Sequence, residues 1–392
     1  MKPGQVGIVG VASSPIRSKL EDLEHELAVD VIAAALEDAG LGIGDVDGFV
    51  FASPYQQYCK QLYFPTFILN HLRVSQSVPL IETMGNGMTA ESAFRAAVDQ
   101  IVLGRGEVIV AVGVSKWSMA SPAEHFDVTM RAVADVDYEV QAGPMPLSWY
   151  AMDAQRYLHR YGVDREQFAA VSVKNRNHAK LNPIAQIQKD LTIEQVIESR
   201  PIVEPLHLLD ICPRSDGACA IVVAAEGVLG ARGVPLLSDG FYHDGSMSFD
   251  DGSRDETTEL VAAKRASTEA YQRAGITVDD IDFAEVYAPA TSVEVMVTEA
   301  LGFFENGEGA AAAAAGATSL GGQKPVSTSG GLLSRGHPPR VTPLLSLLEA
   351  VVQLRHEAGA RQVEGASIGL TTGEMGRYNG CSVHVFGSPG RA

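Results

Sequence analysis

A segment that occurs twice, in distant parts of the chain, constrains the fold more than any other feature of the sequence. Residues 39–47 read AGLGIGDVD and residues 274–282 read AGITVDDID. Each copy follows an amphipathic segment and precedes a short apolar run, GFVFAS in the first copy and FAEVYA in the second. Each copy therefore predicts a helix, an acidic turn and a buried strand, in that order.

A second pair of segments follows the repeat in the same order. ETMGNG at 82–87 precedes a helical pattern and the apolar run VIVAVGV at 108–114, whereas STSGG at 327–331 precedes a helical pattern and the run ASIGLTT at 366–372. Two matches in one order favour a true repeat over chance similarity, and they predict a pseudo-twofold α/β protein. The positions expected to face the core of the two helices are Ala90, Ala93, Phe94, Ala97, Val98 and Ile101 in the first and Leu344, Leu347, Leu348 and Val351 in the second.

The repeat divides the chain into halves of unequal length, 1–230 and 231–392. A long insertion at about 115–205 accounts for the difference. Within it, the apolar spacing predicts helices at Ala151–Tyr161 and Asp164–Lys180, with Asp164 as the N-cap of the second.

Composition excludes several classes of function. The 392 residues are 46% hydrophobic and carry a formal net charge of −18, which disfavours binding to nucleic acid. No apolar stretch reaches the roughly 20 residues of a membrane span. The scattered cysteines are typical of reduced thiols, so we expect a cytoplasmic protein. The four cysteines have neither disulfide nor zinc spacing, and no metal site is expected. These cysteines are Cys59, Cys212, Cys219 and Cys381.

Three motifs, in this order and spacing, carry a family resemblance. They are LLDICPRSDGACAIVVAA at 208–225, TEALGFFENGEG at 298–309 and STSGGLLSRGHP at 327–338. With the tandem halves, they resemble the thiolase superfamily over nearly the whole chain, and within it the sterol-carrier-protein-x and lipid-transfer-protein-like thiolases. The resemblance implies a thiolase-like α/β fold, with two tandem βαβ-rich halves in five αβαβα layers. It also implies a loop-domain insertion in the first half and a homodimer.

The sequence departs from the thiolase pattern at the active-site motifs. Thiolases carry their nucleophilic cysteine in a C-x-S-G turn, and the stretch ETMGNGMTA places Gly85 at that position. The histidine of an H-D-A-F-like motif is replaced by Tyr287 in VYAPAT, while the G-H-P motif is retained at 336–338. The second thiolase cysteine has no counterpart in LTTGEMGRYNG at 370–380. The resemblance thus implies that no acyl-enzyme forms at Gly85.

A tyrosine at the H-D-A-F histidine position resembles the thiolase-fold aldolases of bacterial steroid side-chain degradation. These enzymes cleave a β-hydroxyacyl-CoA by retro-aldol chemistry and work with an OB-fold/zinc-ribbon partner protein. The match is partial, because the aldolases carry a second tyrosine where this chain has His337.

Retro-aldol cleavage needs a base for the β-hydroxyl proton and a group that stabilises the thioester enolate. Tyr287 could be the base or relay a proton, and His337 could stabilise the enolate oxygen or protonate its carbon. Glu374 is a reserve candidate for the base. The alternatives are a tyrosine that only packs in the core at a strand end and a histidine that only occupies a turn before two prolines.

Glycine-rich turns and one basic cluster are the candidate binding elements. Backbone N–H groups at such turns can approach a thioester oxygen closely, although packing between the halves would also select glycine. The basic cluster lies in the insertion, which covers CoA in the family, but it could equally form a solvated helix face. The candidate substrate-binding residues are Gly85, Asn86, Gly87, Gly330, Gly331 and Gly376, and the candidate CoA-binding residues are Lys174, Arg176 and Lys180.

Three functions are compatible with the sequence. The first is a carbon–carbon lyase that cleaves a β-hydroxyacyl-CoA, such as a steroid side-chain-like substrate, together with an OB-fold partner. The second is a thiolase-like acyltransferase, and the third is a non-catalytic subunit that binds acyl-CoA or serves as a scaffold. In each case the CoA thioester is the ligand, and no cofactor is expected.

Overall fold

The structure is a computed structural model that describes residues 2–53, 64–74, 77–84, 87–243, 257–376 and 378–391. The strands of the first half are β1 (Val6–Ser13), β2 (Gly48–Ala52), β3 (Leu80–Thr83), β4 (Val108–Lys116), β5 (Pro201–Val203), β6 (Leu206–His207) and β7 (Asp216–Ala225). Those of the second half are β8 (Val234–His243), β9 (Phe283–Glu285), β10 (Ile368–Met375) and β11 (Gly380–Gly387).

Helices alternate with these strands, as the repeat predicts. The first half contains α1 (Glu24–Ala39), α2 (Phe64–His71), α3 (Thr89–Val102), α4 (Pro122–Val133), α5 (Pro146–Tyr161), α6 (Arg165–Lys180) and α7 (Ile193–Glu198). The second half contains α8 (Val261–Ala274), α9 (Thr291–Ala300), α10 (Gly309–Ala314) and α11 (Thr342–Leu354). No helix in the described part of the chain is long and apolar enough to cross a membrane.

The two halves have the same strand order. Within the described residues, nine strands form one sheet in the order β3-β2-β4-β7-β1-β8-β11-β10-β9. Reading outward from the centre, β1, β7, β4 and β2 match β8, β11, β10 and β9, and a bridge between Ala284 and Val326 takes the place of β3. The halves join where Gly7 pairs with Pro235 and Ile8 with Val234. This arrangement confirms the pseudo-twofold prediction.

Helices form three layers around the two half-sheets. Helix α1 covers β1 and β7, and α8 covers β8 and β11 on the corresponding outer face. Between the half-sheets, α3 packs against α11, which also contacts β1, β7 and β10. The core positions predicted for these two central helices are all buried. The αβαβα layering is therefore confirmed, and one apolar core includes residues from both halves.

A pair of glycines shows how closely the outer helices approach the sheet. A Cβ added at Gly10 of β1 would lie 2.1 Å from the carbonyl oxygen of Ala35 in α1. A Cβ at Gly240 of β8 would lie 1.9 Å from the carbonyl oxygen of Ala266 in α8. Only glycine permits so close a contact between strand and helix. The same contact occurs in both halves, so the repeat includes this detail of packing.

The insertion folds as the helices α4 to α7, which lie beside the strand ends. Helix α5 begins at Pro146, earlier than predicted, because proline suits the first turn of a helix. Helix α6 follows Asp164 as predicted, and the backbone N–H of Asp164 donates to Gln167 Oε1 at 3.2 Å. These two helices position Tyr150 and the predicted CoA-binding residues.

Candidate active site

A cavity of about 280 Å³ lies where the strand ends of both halves meet the helices of the insertion. It brings together Tyr287, His337 and Glu374, the three predicted catalytic residues, and Gly376. Most of its other walls are apolar. The lining residues are Trp117, His125, Thr129, Val133, Met145, Pro146, Leu147, Tyr150, Ile211, Cys212, Pro213, Arg214, Tyr287, Pro289, His337, Pro339, Glu374 and Gly376.

Tyr287 follows the end of β9 and is held through its backbone. Its N–H donates to Thr372 Oγ1 at 2.9 Å, and its carbonyl accepts a hydrogen bond from the Tyr378 hydroxyl. The side chain is buried, and its hydroxyl lies 3.4 Å from His337 Nε2. The backbone of Tyr287 is therefore anchored on both sides, and its buried ring forms part of the cavity wall.

The hydrogen bonds of His337 define its tautomer. The hydroxyl of Thr342 donates to the carbonyl of Pro338 at 2.9 Å, so it accepts from His337 Nδ1 at 3.0 Å. This assigns the imidazole proton to Nδ1 and leaves a lone pair on Nε2, the atom that faces Tyr287. Burial, with the neighbouring charges of Arg335 and His125, lowers the pKa of His337 to about 3. The ring is therefore neutral at physiological pH.

Glu374 is a protonated carboxyl at neutral pH. Burial raises its pKa to about 8, even though Tyr150 donates to Oε1 at 3.1 Å and the N–H of Tyr378 donates at 3.3 Å. A neutral carboxyl donates a hydrogen bond and cannot accept a proton as a base. Its placement in the cavity agrees with the sequence-based expectation, but its protonation fits a donor better than the predicted base.

The glycine turns separate into two environments. Gly85 and Asn86 lie outside the described residues, but Gly87 lies against Tyr287, since an added Cβ would be 2.9 Å from the hydroxyl oxygen. Gly330 and Gly331 instead pack beside α6, where a Cβ at Gly330 would be 2.6 Å from that of Ala179. These two glycines do not line the cavity, so their placement does not fit the predicted contact with substrate.

The basic cluster of α6 is mostly internal. Lys174 forms a buried ion pair with Glu294 and donates to the carbonyl of Val326 at 2.8 Å. Arg176 is also buried and donates from Nε to Ser334 Oγ at 3.1 Å. Lys180 alone of the three predicted residues is exposed, beside Asp190. The placement of Lys174 and Arg176 does not fit the predicted contact with CoA phosphates.

The sequence analysis did not predict two residues that belong to the site, Tyr150 and Cys212. Tyr150 bonds Glu374 but belongs to a helix of the insertion, and no motif marks it. Cys212 lines the cavity, and its position within DICPRSDG, directly before β7, was the available signal. Burial raises the pKa of its thiol to about 12, so it is not a thiolate at neutral pH.

Two thiolase families match the chain. The family "Thiolase, N-terminal domain" matches residues 6–227, and "Thiolase C-terminal domain-like" matches residues 246–388. Acetyl-CoA acetyltransferase of Methanothermobacter thermautotrophicus is 32% identical over 385 residues, covering 97% of this chain and 99% of that protein. Sterol carrier protein 2 of Homo sapiens is 31% identical over 360 residues, covering 88% of this chain and 64% of that protein.

A solved structure of similar architecture is named "Ltp2-ChsH2(DUF35) aldolase". It superposes with a TM-score of 0.84 at 27% sequence identity and covers 99% of each chain.

Proposed function

Because this chain belongs to the thiolase superfamily of acyl-CoA enzymes, we propose that it is a carbon–carbon lyase that cleaves a β-hydroxyacyl-CoA by a retro-aldol reaction. The observation that carries the proposal is the Tyr287 hydroxyl, 3.4 Å from the unprotonated Nε2 of a neutral His337. Gly87 adds support, because any side chain at this position would collide with the same hydroxyl. The similarity to the Ltp2-ChsH2(DUF35) aldolase points to the same reaction class.

The reaction moves one proton from oxygen to carbon. The β-hydroxyl gives its proton to the Tyr287 oxygen as Tyr287 gives its own proton to His337 Nε2. The Cα–Cβ bond then breaks, the β-carbon becomes the carbonyl of an aldehyde or ketone, and the electron pair forms the thioester enolate. One proton then passes from the Tyr287–His337 pair to Cα, which yields the shorter acyl-CoA and restores the Tyr287 hydroxyl and the neutral His337, so the reaction needs no other reactant.

The neutral carboxyl of Glu374 is suited to the oxygen of the enolate. Its proton is available below a pH of about 8, and a donor in an apolar cavity stabilises developing negative charge strongly. In this role Glu374 donates a hydrogen bond to the enolate oxygen, while the hydroxyl of Tyr150 holds the carboxyl in position.

A lyase of this kind needs no acyl-enzyme. Gly85 has no side chain, and the partly buried thiol of Cys212, with its pKa near 12, is a weak nucleophile. Wild-type protein exposed to acyl-CoA should therefore show no covalent acyl adduct by intact-mass measurement. A stoichiometric, hydroxylamine-labile adduct would support the alternative of a thiolase-like acyltransferase, which the 32% identity to an acetyl-CoA acetyltransferase favours.

We further propose a partner protein, because the name of the similar structure joins Ltp2 with ChsH2(DUF35). The resemblance to the steroid side-chain aldolases implies that this partner is an OB-fold/zinc-ribbon protein. The decisive experiment incubates the chain, with and without such a protein, with β-hydroxyacyl-CoA candidates and identifies the products by mass spectrometry. A ketone or aldehyde plus a shortened acyl-CoA supports the lyase. Tight acyl-CoA binding without any product would instead indicate a binding or scaffold subunit.

A further inference from the structure

A second cavity adjoins the active-site cavity and has a different chemical character. Its volume is about 290 Å³, and Val133 and Gly376 border both cavities. The surface of the first cavity is mainly apolar, whereas polar and apolar atoms contribute similar areas to the surface of the second. The polar side chains of the second are those of Asp135, His243 and Asn379. Its lining residues are Ala132, Val133, Ala134, Asp135, His243, Met375, Gly376 and Asn379.

We infer that the second cavity binds the far end of the acyl group, and that this end carries a neutral polar group such as a hydroxyl or a ketone. The inference rests on the proposed function, since it extends the same substrate beyond the acid/base pair. The reacting β-carbon would lie beside Tyr287 and His337, and the acyl group would pass Val133 and Gly376 to reach the polar side chains.

The volumes support an extended acyl group. Pockets for ligands of drug size hold roughly 300–1,000 Å³, and each cavity alone lies at the lower limit of that range. The two cavities together fall within it. A short acyl group would occupy the first cavity only and would leave the second without a function in substrate binding.

The polar side chains define the preferred end group. Oδ1 of Asp135 accepts from the backbone N–H groups of Asp137 and Tyr138, each at 2.9 Å, which fixes this carboxylate at the end of α4. Asn379 is buried beneath Gly376, where an added Cβ would be 2.9 Å from its Oδ1. A hydroxyl can donate to the carboxylate of Asp135 and a ketone can accept from the amide of Asn379, whereas a carboxylate would face the like charge of Asp135.

The test uses a short probe, 3-hydroxybutyryl-CoA, and long 3-hydroxyacyl-CoA probes that end in a methyl, a hydroxyl or a carboxylate. Ala134→Phe fills the second cavity and does not line the first. We expect it to lower the ratio of kcat/KM for the hydroxyl-ended probe to that for the short probe by about tenfold or more. Ala123→Phe is the matched control and should preserve this ratio, because Ala123 is exposed near the start of α4, the helix that ends one residue before Ala134. Ala132→Phe provides a second filling variant if Ala134→Phe does not fold.

A separate variant, Asp135→Asn, tests the preference for the end group of the acyl chain. Wild type should favour the hydroxyl-ended over the carboxylate-ended probe by about tenfold, and Asp135→Asn, which retains an oxygen acceptor for the two N–H groups, should reduce this preference. The inference is overturned if the ratio of kcat/KM between the long and short probes is unchanged in both filling variants, or if neither end group is preferred.

Titration calorimetry with the same probes measures binding to the second cavity without turnover. If no probe is cleaved but Ala134→Phe weakens only the long ones, the lyase proposal fails and the subsite stands.

Discussion

At the residue scale, the tautomer of His337 determines the direction in which a proton can move. Nδ1 is committed to Thr342, so Nε2 is the only ring atom that can accept from Tyr287. A pKa near 3 means that solvent protons do not occupy this lone pair in the resting protein. The acceptor is therefore available throughout the physiological pH range, although it is a weak base that needs close contact with its donor.

Tyr287→Phe tests this proton path by removing one hydroxyl and little volume. Loss of a general acid or base lowers rates by roughly 10²–10⁴-fold, and we expect a fall of that size in kcat with an unchanged melting temperature. His337→Asn should have a similar effect. The double variant should lose less than the product of the single losses, because both groups belong to one proton-transfer path. Near-full lyase activity in Tyr287→Phe would show that the tyrosine is structural.

Glu374 gives a pH dependence whose sign follows from its raised pKa. The donor form is lost as the pH rises through about 8, so kcat should fall on the alkaline side. No acid limb from His337 is expected between pH 5 and 7, because its pKa lies near 3. Glu374→Gln keeps a hydrogen-bond donor and should flatten the alkaline limb. A profile of the variant that still falls near pH 8 would assign the limb to another group.

The same carboxyl affects stability. The folded protein holds the Glu374 proton up to a pH of about 8, whereas the ordinary pKa of a glutamate is 4.5, so the folded state binds more protons between these values. Its contribution to the free energy of unfolding is therefore lost as the pH rises across this interval. Urea unfolding of Glu374→Gln should show a correspondingly smaller decline with pH.

Sequence reasoning identified the cavity residues that belong to linear motifs, and it missed those that depend on tertiary packing. Tyr287, His337 and Glu374 lie in short motifs beside strands, so the resemblance could mark them. Tyr150 reaches Glu374 only because the insertion folds back over the strand ends. The charge of Lys174 suggested contact with CoA phosphates or a solvated helix face, because its partner Glu294 is distant in sequence and gave no sign of the buried pair.

At the element scale, α6 offers a matched pair of lysines. Lys174→Ala leaves Glu294 buried without its cation, which destabilises a protein by about 3–5 kcal/mol. Lys180→Ala breaks an exposed pair with Asp190, and such pairs contribute about 0–1 kcal/mol. Urea unfolding monitored by circular dichroism should separate the two variants. Equal stabilities would contradict the internal role of Lys174.

The spacing of apolar residues in the sequence located the two central helices, α3 and α11, because each of them buries one face or more. One face of α3 and most of α11 are buried, and the spacing of apolar residues followed these faces. The start of α5 was predicted too late because its first turn, Pro146 to Trp149, lacks that spacing, although proline at the first position is a start signal in its own right. In the second half, the counterpart of β3 is reduced to the bridge at Val326, which no local pattern indicated.

At the scale of the whole molecule, the outer edge of the sheet at β3 supports the predicted homodimer. Leu80 on this strand is 38% exposed, and among the described residues no strand pairs with the outer side of β3. Such an edge offers backbone groups for pairing with another copy. Sedimentation should give a particle of twice the chain mass of 41.6 kDa. Leu80→Lys should weaken the association. A wild-type monomer whose mass does not change with concentration would contradict the prediction.

The junction of β1 with β8 determines how the molecule unfolds. Because these strands lie at the middle of one sheet and α11 of the second half covers strands of the first, neither half can detach without exposing the shared core. Amide hydrogens at the junction should thus exchange with deuterium only through global unfolding, and those at the β3 edge much sooner. Although the chain carries an internal duplication, its halves should melt in a single cooperative event, and a fragment ending near residue 230 should not fold alone.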